Sequence, residues 1–108
     1  MAERVVVVLP IKAAEGKGAE VVDAFTPCIL ETVQEEGCIK YALHRENSDP
    51  DSFVLVEQWR SQADLDDHLQ KPHITALVEA MSAPGLLAGA PTITLLGAVG
   101  LGGDKGTL

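Results

Sequence analysis

The stretch CIKYALHRENSDPDSFVLVEQWR, residues 38–60, decides the fold. Residues 38–46 alternate between apolar and polar side chains, which is the period of a strand. Residues 47–52, NSDPDS, are dense in turn-forming residues, and FVLVEQWR then resumes a strand pattern. The stretch therefore predicts an antiparallel hairpin with a loop longer than two residues.

The segments before this hairpin predict one strand and one helix. VVVVLPI, residues 5–11, is a β-branched apolar run typical of a buried strand. From Ala19, apolar residues recur at spacings of three and four up to Gly37, where we expect the helix to stop. Pro27 lies inside this helix and has no N–H for the Asp23 carbonyl, which predicts a kink or a break.

Two helices and a strand are predicted after the hairpin. Ser61, followed three residues later by Asp64, resembles a capping box and indicates that a helix begins next. Pro72 interrupts this helix and opens a second one, with His73 in its first turn. The residues expected on the buried stripes of the two helices are Leu65, His68, Leu69, Ile74, Leu77, Val78 and Met81. TITLLGAV, at about 92–99, predicts the last strand.

The resulting order is β-α-β-β-α-β, which is the split βαβ or ferredoxin-like arrangement of the α+β class. We expect one domain over residues 1–99 and a flexible, glycine-rich tail over residues 100–108. Helices cover only one face of such a sheet. A bare apolar face is unusual on a soluble monomer, so we predict a homodimer in which two sheets pack together.

The composition argues against two classes of partner. The formal net charge is −8, which opposes binding to nucleic acid or to an anionic membrane surface. No apolar run approaches the roughly 20 residues that cross a bilayer. Cys28 and Cys38 are too few for a disulfide scaffold, and MAERVVVVLPIK lacks the pattern of a signal peptide. We therefore expect a cytoplasmic protein with reduced thiols.

Three residues near the end of the hairpin are candidates for a chemical site. Glu57 and Trp59 share one strand face, and a short connection leads to the helix whose inner stripe carries His68. An imidazole beside a carboxylate can act as a general base, and an indole can stack on a planar substrate. Tyr41, on the neighbouring strand, could add a phenol.

Each of these residues also has a purely structural explanation. His68 could be a core histidine satisfied by a backbone carbonyl. Trp59 and Tyr41 could be ordinary core residues. Glu57 could form an ion pair at the rim with Arg45 or Arg60. The sequence leaves both explanations open for every member of the set.

No cofactor or metal is expected from the sequence motifs. His68 and His73 straddle Pro72 and lack the i, i+4 geometry of a zinc-binding helix, and no cysteine lies nearby. The chain contains neither a G-x-G-x-x-G motif nor a P-loop, so a nucleotide cofactor has no support.

Residues 35–73, EEGCIKYALHRENSDPDSFVLVEQWRSQADLDDHLQKPH, closely resemble the antibiotic biosynthesis monooxygenase superfamily, and in particular its small quinol monooxygenases. The shared pattern is E-x-G-C after the first helix, an aromatic in the next strand, E-x-W in the third strand and H-x-x-x-x-H at the following helix. The segments VQEEG and KPH are also similar to those of the isomerase that processes the phosphorylated autoinducer-2 signal.

The resemblance implies a dimeric α+β barrel that oxygenates a small phenolic or quinol substrate with dioxygen and without a cofactor. It implies catalytic roles for His68 and Glu57. The residues it implies for substrate binding are Trp59, Tyr41, His73 and Phe53, with His73 at the mouth of the pocket. Haem-degrading members carry an asparagine on the first strand, where this chain has VVVVLPI, so we do not expect haem degradation.

Two alternatives to the oxygenase remain open. An isomerase would use His68 and Glu57 to move a proton next to a carbonyl. If its substrate were phosphorylated, cations would be needed at the pocket mouth, for which the candidates are Lys40, Arg45, Arg60 and Lys71. A ligand-binding or stress-related dimer without turnover would be favoured if the protein's own side chains filled the pocket, or if backbone groups satisfied His68.

Overall fold

The computed structural model describes residues 3–108 and confirms the ferredoxin-like α+β fold. In chain order the elements are β1 (Val5–Lys12), α1 (Gly18–Thr32), β2 (Cys38–Arg45), β3 (Ser52–Trp59), α2 (Gln62–His68), α3 (Pro72–Met81), β4 (Thr94–Leu96) and a 3-10 helix (Gly103–Gly106). The strands form one antiparallel sheet in the order β2-β3-β1-β4. The first two residues of the predicted 1–99 domain lie outside the described residues.

The pairing register places alternate residues of the sheet beneath the helices. Glu57 lies opposite Val7 of β1 and opposite Tyr41 of β2. Because side chains of a strand alternate between faces, the helix-facing residues of β3 are those predicted from the sequence. They are Phe53, Leu55, Glu57 and Trp59, and all four are buried.

The first helix differs from its prediction in continuity and length. α1 runs through Pro27 and ends at Thr32, so the chain does not break at Pro27 and the expected stop at Gly37 is wrong, while the alternative of a kink stays a prediction. Its buried residues lie on both sides of the proline, and they are Gly18, Val21, Phe25, Cys28 and Thr32. Packing of this stripe against the sheet stabilises the helix despite the backbone hydrogen bond that proline removes.

The start of α2 and the start of α3 agree with the sequence. The Ser61 hydroxyl accepts a hydrogen bond from the backbone N–H of Asp64 at 3.2 Å, and Pro72 opens α3. The buried stripes are narrower than predicted, because Leu69 is 49% exposed and Val78 is 59% exposed. Leu69 follows the last residue of α2, and Val78 borders an open groove beside α3.

Gly37 holds the loop after α1 against the start of α2. Its carbonyl accepts a hydrogen bond from the backbone N–H of Arg60 at 2.9 Å. A Cβ atom at this position would collide with the Asp64 side chain. Glycine is therefore required sterically for this close approach, which also positions the loop residue Glu35 beside α2.

The other face of the sheet is only partly covered. Val54 and Val56 of β3 and Val8 of β1 are half-buried, and all of β4 is exposed. This apolar surface is the bare face that the topology predicts. Within residues 3–108, no helix has both the length and the apolar character needed to cross a membrane.

Candidate functional site

His68 lies at the centre of a packed group of rings between α2 and the sheet. It is the last residue of α2 and is 1% exposed. Its ring centroid lies 4.3 Å from that of Trp59, and the two planes are tilted by 40°. The edge of Tyr41 approaches it at a centroid distance of 5.4 Å. The structure thus brings together three of the residues singled out from the sequence.

Glu57 is buried beside this group and does not form an ion pair at the rim. It is 4% exposed, and its Oε1 accepts a hydrogen bond from Nε1 of Trp59 at 2.9 Å. The candidate partners are engaged elsewhere, because Arg45 lies over the Phe53 ring and Arg60 pairs with Asp64.

The pKa of Glu57 reflects this environment. Burial raises it to about 7, and the nearby charge of Glu35 acts in the same direction. The hydrogen bond from Trp59 opposes the shift by favouring the carboxylate. The Glu57 carboxyl therefore changes protonation state near neutral pH, as a group that exchanges protons in a reaction must.

Glu35 joins the two histidines and was not among the residues predicted from the sequence. Its Oε2 lies 2.7 Å from Nδ1 of His68 and 2.9 Å from Nε2 of His73. The side chains of Glu35 and His73 are 13% and 16% exposed, so this carboxylate–histidine cluster reaches from the core to the surface. His73 therefore lies at the outer end of the cluster.

The shared oxygen determines which nitrogen of His68 carries the proton. An ionised carboxylate only accepts hydrogen bonds, so each imidazole presents an N–H to Glu35. Neutral His68 then carries its proton on Nδ1 and its lone pair on Nε2. No residue within 3–108 forms a hydrogen bond with that Nε2. Burial lowers the pKa of His68 and outweighs the bond from Glu35, so the ring is neutral at physiological pH.

A signal for Glu35 was present in the sequence. It is the first residue of the E-x-G-C pattern, formed here by residues 35–38. The pattern gave it no role because Glu35 and His68 are separated by 33 positions and no periodicity links them. The close approach at Gly37 and the ion pair between Glu36 and Arg60 hold this loop beside α2.

A chain of neutral polar groups extends the site toward α1. The Tyr41 hydroxyl and the Cys28 sulfur lie 3.7 Å apart, and Cys28 lies at the same distance from the Thr32 hydroxyl. Burial raises the pKa of both Tyr41 and Cys28, so both remain protonated at neutral pH. Tyr41 is accordingly a hydrogen-bonding group here and not an anion.

The carboxylate–histidine cluster argues against the expectation that the chain has no set of metal ligands. That expectation considered spacing along one helix, and His68 and His73 do lie on different helices. Residues from separate elements nevertheless converge, since the ligand atoms of Glu35, His68 and His73 all lie within 4.8 Å of one another. Two imidazoles and one carboxylate are a set that transition metals use.

Space for a substrate lies next to the packed rings and not among them. A cavity of about 200 Å³ is bordered by Glu35 and Trp59. Phe53 is separate from the other candidates and borders a cavity of about 220 Å³ near Pro10. At the far end of β1 an apolar groove of about 540 Å³ opens, and its walls include Leu9, Ile11, Phe25, Leu77, Val78 and Met81.

Comparison with known proteins identifies the family to which this chain is similar. Residues 4–80 match the antibiotic biosynthesis monooxygenase family. The probable quinol monooxygenase YgiN of Escherichia coli (strain K12) is 39% identical over 69 residues, covering 56% of this chain and 66% of YgiN. The chain thus spans just under two thirds of the length of that curated relative.

Solved structures agree with this assignment. The chain superposes on a crystal structure of an antibiotic biosynthesis monooxygenase with a TM-score of 0.80 and 28% identity, covering 88% of this chain and 98% of the other. SnoaB of Streptomyces nogalater, a cofactor-independent oxygenase, superposes with a TM-score of 0.77 over 90% of this chain and 94% of its own. At 22% identity, that second likeness concerns the fold alone. Because the family match spans most of its residues, this chain belongs to the antibiotic biosynthesis monooxygenase family.

Proposed function

We propose that this protein oxidises a small phenolic or quinol-type aromatic with dioxygen and without a cofactor. The observation that carries the proposal is the Glu35 carboxylate on Nδ1 of His68, which leaves Nε2 free to accept a proton. A carboxylate that orients an imidazole in this way is a recurring means of preparing a general base. Family membership and the YgiN relative supply the reaction class.

The proposed reaction begins with proton transfer from the substrate. Nε2 of His68 takes the phenolic proton, and Glu35 stabilises the imidazolium that forms. The electron-rich phenolate then passes one electron to dioxygen, giving a substrate radical and superoxide. Their recombination at a ring carbon that carries a hydrogen forms a C–O bond, and the imidazolium of His68 returns its proton to the peroxide. The hydroperoxide then loses water, which takes the outer oxygen and the hydrogen of that carbon, and one oxygen stays on the substrate as a carbonyl. The substrate supplies the electrons that the reduced oxygen atom needs.

The neighbouring groups suit this sequence of steps. The Trp59 indole packs against His68 and borders the 200 Å³ cavity, where an aromatic ring can lie beside it. Glu57, which is buried and has a pKa of about 7, can exchange the second proton of a quinol. We further propose that the protein works as a homodimer through its half-covered sheet face, where Val8, Val54 and Val56 lie.

The charges around the site favour the oxygenase over the isomerase of a phosphorylated substrate. Arg60 and Lys71 are the two cations beside the 200 Å³ cavity, and Arg60 already pairs with Asp64. Four carboxylates line the same cavity and would repel a phosphate group. They are Glu35, Glu36, Asp64 and Asp67.

One observation favours a second candidate, a ligand-binding dimer without turnover. Trp59, Tyr41 and His68 pack on one another, so a substrate must enter from an adjoining cavity or displace a side chain. The hydrogen bonding of His68 argues against a ligand-binding dimer without turnover, because the partner of its ring is the Glu35 side chain and not a backbone carbonyl.

Oxygen consumption with a panel of quinols and anthrones tests the proposal. We expect the protein to accelerate oxygen uptake with at least one substrate. His68→Asn and Glu35→Gln should each reduce the rate by about 10²- to 10⁴-fold, the usual contribution of general base catalysis. Glu79→Gln is the matched control for the carboxylate, because Glu79 is exposed on α3 away from the cluster and should leave the rate unchanged.

Two results would decide against the oxygenase. Uptake at the uncatalysed rate with every substrate would leave the ligand-binding dimer as the better reading. Acceleration that survives His68→Asn would show that catalysis does not use this histidine, and would remove the role assigned to Glu35.

A further inference from the structure

We propose that Glu35, His68 and His73 form a binding site for a divalent transition-metal ion such as zinc(II) or cobalt(II). This inference goes beyond the oxygenase and does not depend on it. The three ligand atoms would be Oε2 of Glu35, Nδ1 of His68 and Nε2 of His73, which already face one another.

The donor set has the composition that borderline metals prefer. Two imidazoles and one carboxylate occur as three-residue sets around zinc and around non-haem iron(II). These sets leave at least one coordination position for water or another ligand. Here Glu35 and His73 are partly exposed, so solvent can reach the ion from the side of the 200 Å³ cavity.

The ligand atoms lie within 4.8 Å of one another, so metal binding requires a local rearrangement in which the two histidine nitrogens come to about the separation of a shared ion. Bonds of about 2.0–2.1 Å at tetrahedral angles hold neighbouring ligand atoms roughly 3.3 Å apart. The present separations are 2.7 Å and 2.9 Å, because hydrogen bonds now join these atoms. Glu35 lies in the loop between α1 and β2, and His73 lies in the first turn of α3. Both side chains can change rotamer while His68 stays packed, so His73 can approach Nδ1 of His68 as Glu35 moves outward.

The surroundings attract a cation. Four carboxylates and two cationic side chains line the adjoining cavity, which gives it a negative balance. The whole chain carries a formal charge of −8. Such a potential raises the local concentration of metal ions at the outer side of the cluster.

Metal binding and base chemistry would exclude each other at His68. An ion on Nδ1 forces the proton of the neutral ring onto Nε2, which then cannot accept a proton. Metal loading should therefore suppress any reaction that uses Nε2 as a base, and a chelator should restore it. The ion would act as a reversible switch on the same three residues.

Equilibrium dialysis of the chelator-treated full chain against cobalt(II) chloride and, separately, zinc chloride tests the site without a substrate. We expect one bound ion per chain and visible cobalt absorption typical of four or five coordination. Glu35→Gln and His73→Gln should each weaken binding by at least about tenfold. Glu79→Gln and His44→Gln change the same residue types outside the cluster and outside the adjoining cavity, and should bind as the wild type does.

The metal-binding test does not depend on a single variant that could fail to fold. His73 is partly exposed at a helix start, so His73→Gln should fold even if Glu35→Gln does not, and circular dichroism checks both. The site would be overturned if the wild type bound less than one ion, or if His73→Gln and His44→Gln lost affinity equally. Neither result would affect the oxygen-uptake test when a chelator is added to that assay.

Discussion

The two ends of the layer between helices and sheet differ in nearly every physical property. At one end, Glu57, Trp59 and His68 are buried and packed together. At the other end, the apolar groove beside α3 has space but no ionisable side chain among its lining residues. The comparison teaches that this chain keeps its buried chemical groups apart from its apolar groove, whereas the smaller cavity of about 200 Å³ borders Glu35 and Trp59. A ligand held in the groove would reach the buried groups only by its own length or by a rearrangement between the two ends.

The largest expected effect is a difference in the loss of stability between a variant at the packed end and a variant at the groove. Trp59→Ala should lower the free energy of unfolding by about 3–5 kcal/mol, because it leaves a cavity in a packed core. Val78→Ala, in the groove wall, should lower it by less than about 0.5 kcal/mol, because the side chain is mostly exposed. Urea denaturation of both variants measures the difference. Equal losses would mean that the groove is closed in solution.

The second effect is a pH dependence that only the packed end should show. Burial raises the pKa of Glu57 from 4.5 to about 7, so the folded state binds this proton more tightly than the unfolded chain does. Stability should therefore fall as the pH rises from 5 to 8, by roughly 2–3 kcal/mol relative to Glu57→Gln. Glu79 is an exposed residue of α3, so Glu79→Gln should keep the dependence of stability on pH that the wild type shows.

Unfolding midpoints in urea at pH 5, 6, 7 and 8 give these profiles. The difference between wild type and Glu57→Gln isolates Glu57, because His68 titrates in both proteins. Parallel profiles would mean that Glu57 is ionised in the folded protein throughout this range.

The third effect concerns the free volume. Val78→Trp should fill the groove and weaken binding of 1,4-naphthoquinone, used as a stable planar probe, by about tenfold or 1.4 kcal/mol. Leu30→Trp makes the same kind of change on the exposed side of α1 and should not alter binding. Isothermal titration compares the two. If both variants bind the probe as the wild type does, the groove is not where planar aromatics bind.

The smallest expected effect is a difference in stability between variants at the N-caps of α2 and α3, the helices that carry His68 and His73. Ser61 caps α2 with a side-chain hydrogen bond, whereas Lys71 before α3 makes none. Ser61→Ala should cost about 1 kcal/mol of stability, and Lys71→Ala less than about 0.5 kcal/mol. Thermal unfolding of the two variants measures the difference. A larger loss for Lys71→Ala would show that this lysine stabilises the site electrostatically.

Local patterns in the sequence predicted most of the fold. Alternation over residues 38–60 predicted the hairpin and placed Glu57 and Trp59 on the buried face. Helical spacing placed His68 inward, and Pro72 marked the start of α3. These features depend on the periods of strands and helices, which can be read within a short window.

Features that depend on contacts between distant segments were not predicted. Glu35 has no periodic relation to His68, so its role depends on the loop that Gly37 holds against α2. Leu69 and Val78 carry the apolar character of a buried stripe, but the packed surface ends before it reaches them. The groove is likewise a property of how α3 and residues 89–93 sit over the sheet.

The bond between Nδ1 of His68 and Oε2 of Glu35 also provides a way to observe the site over time. A buried imidazole N–H held at 2.7 Å by a carboxylate is protected from exchange with water, because exchange requires the surrounding structure to open. Its proton should give a resolved downfield resonance whose exchange rate reports how often α2 separates from the loop at Gly37. The rate of this local opening can therefore be measured from one proton before any substrate is known.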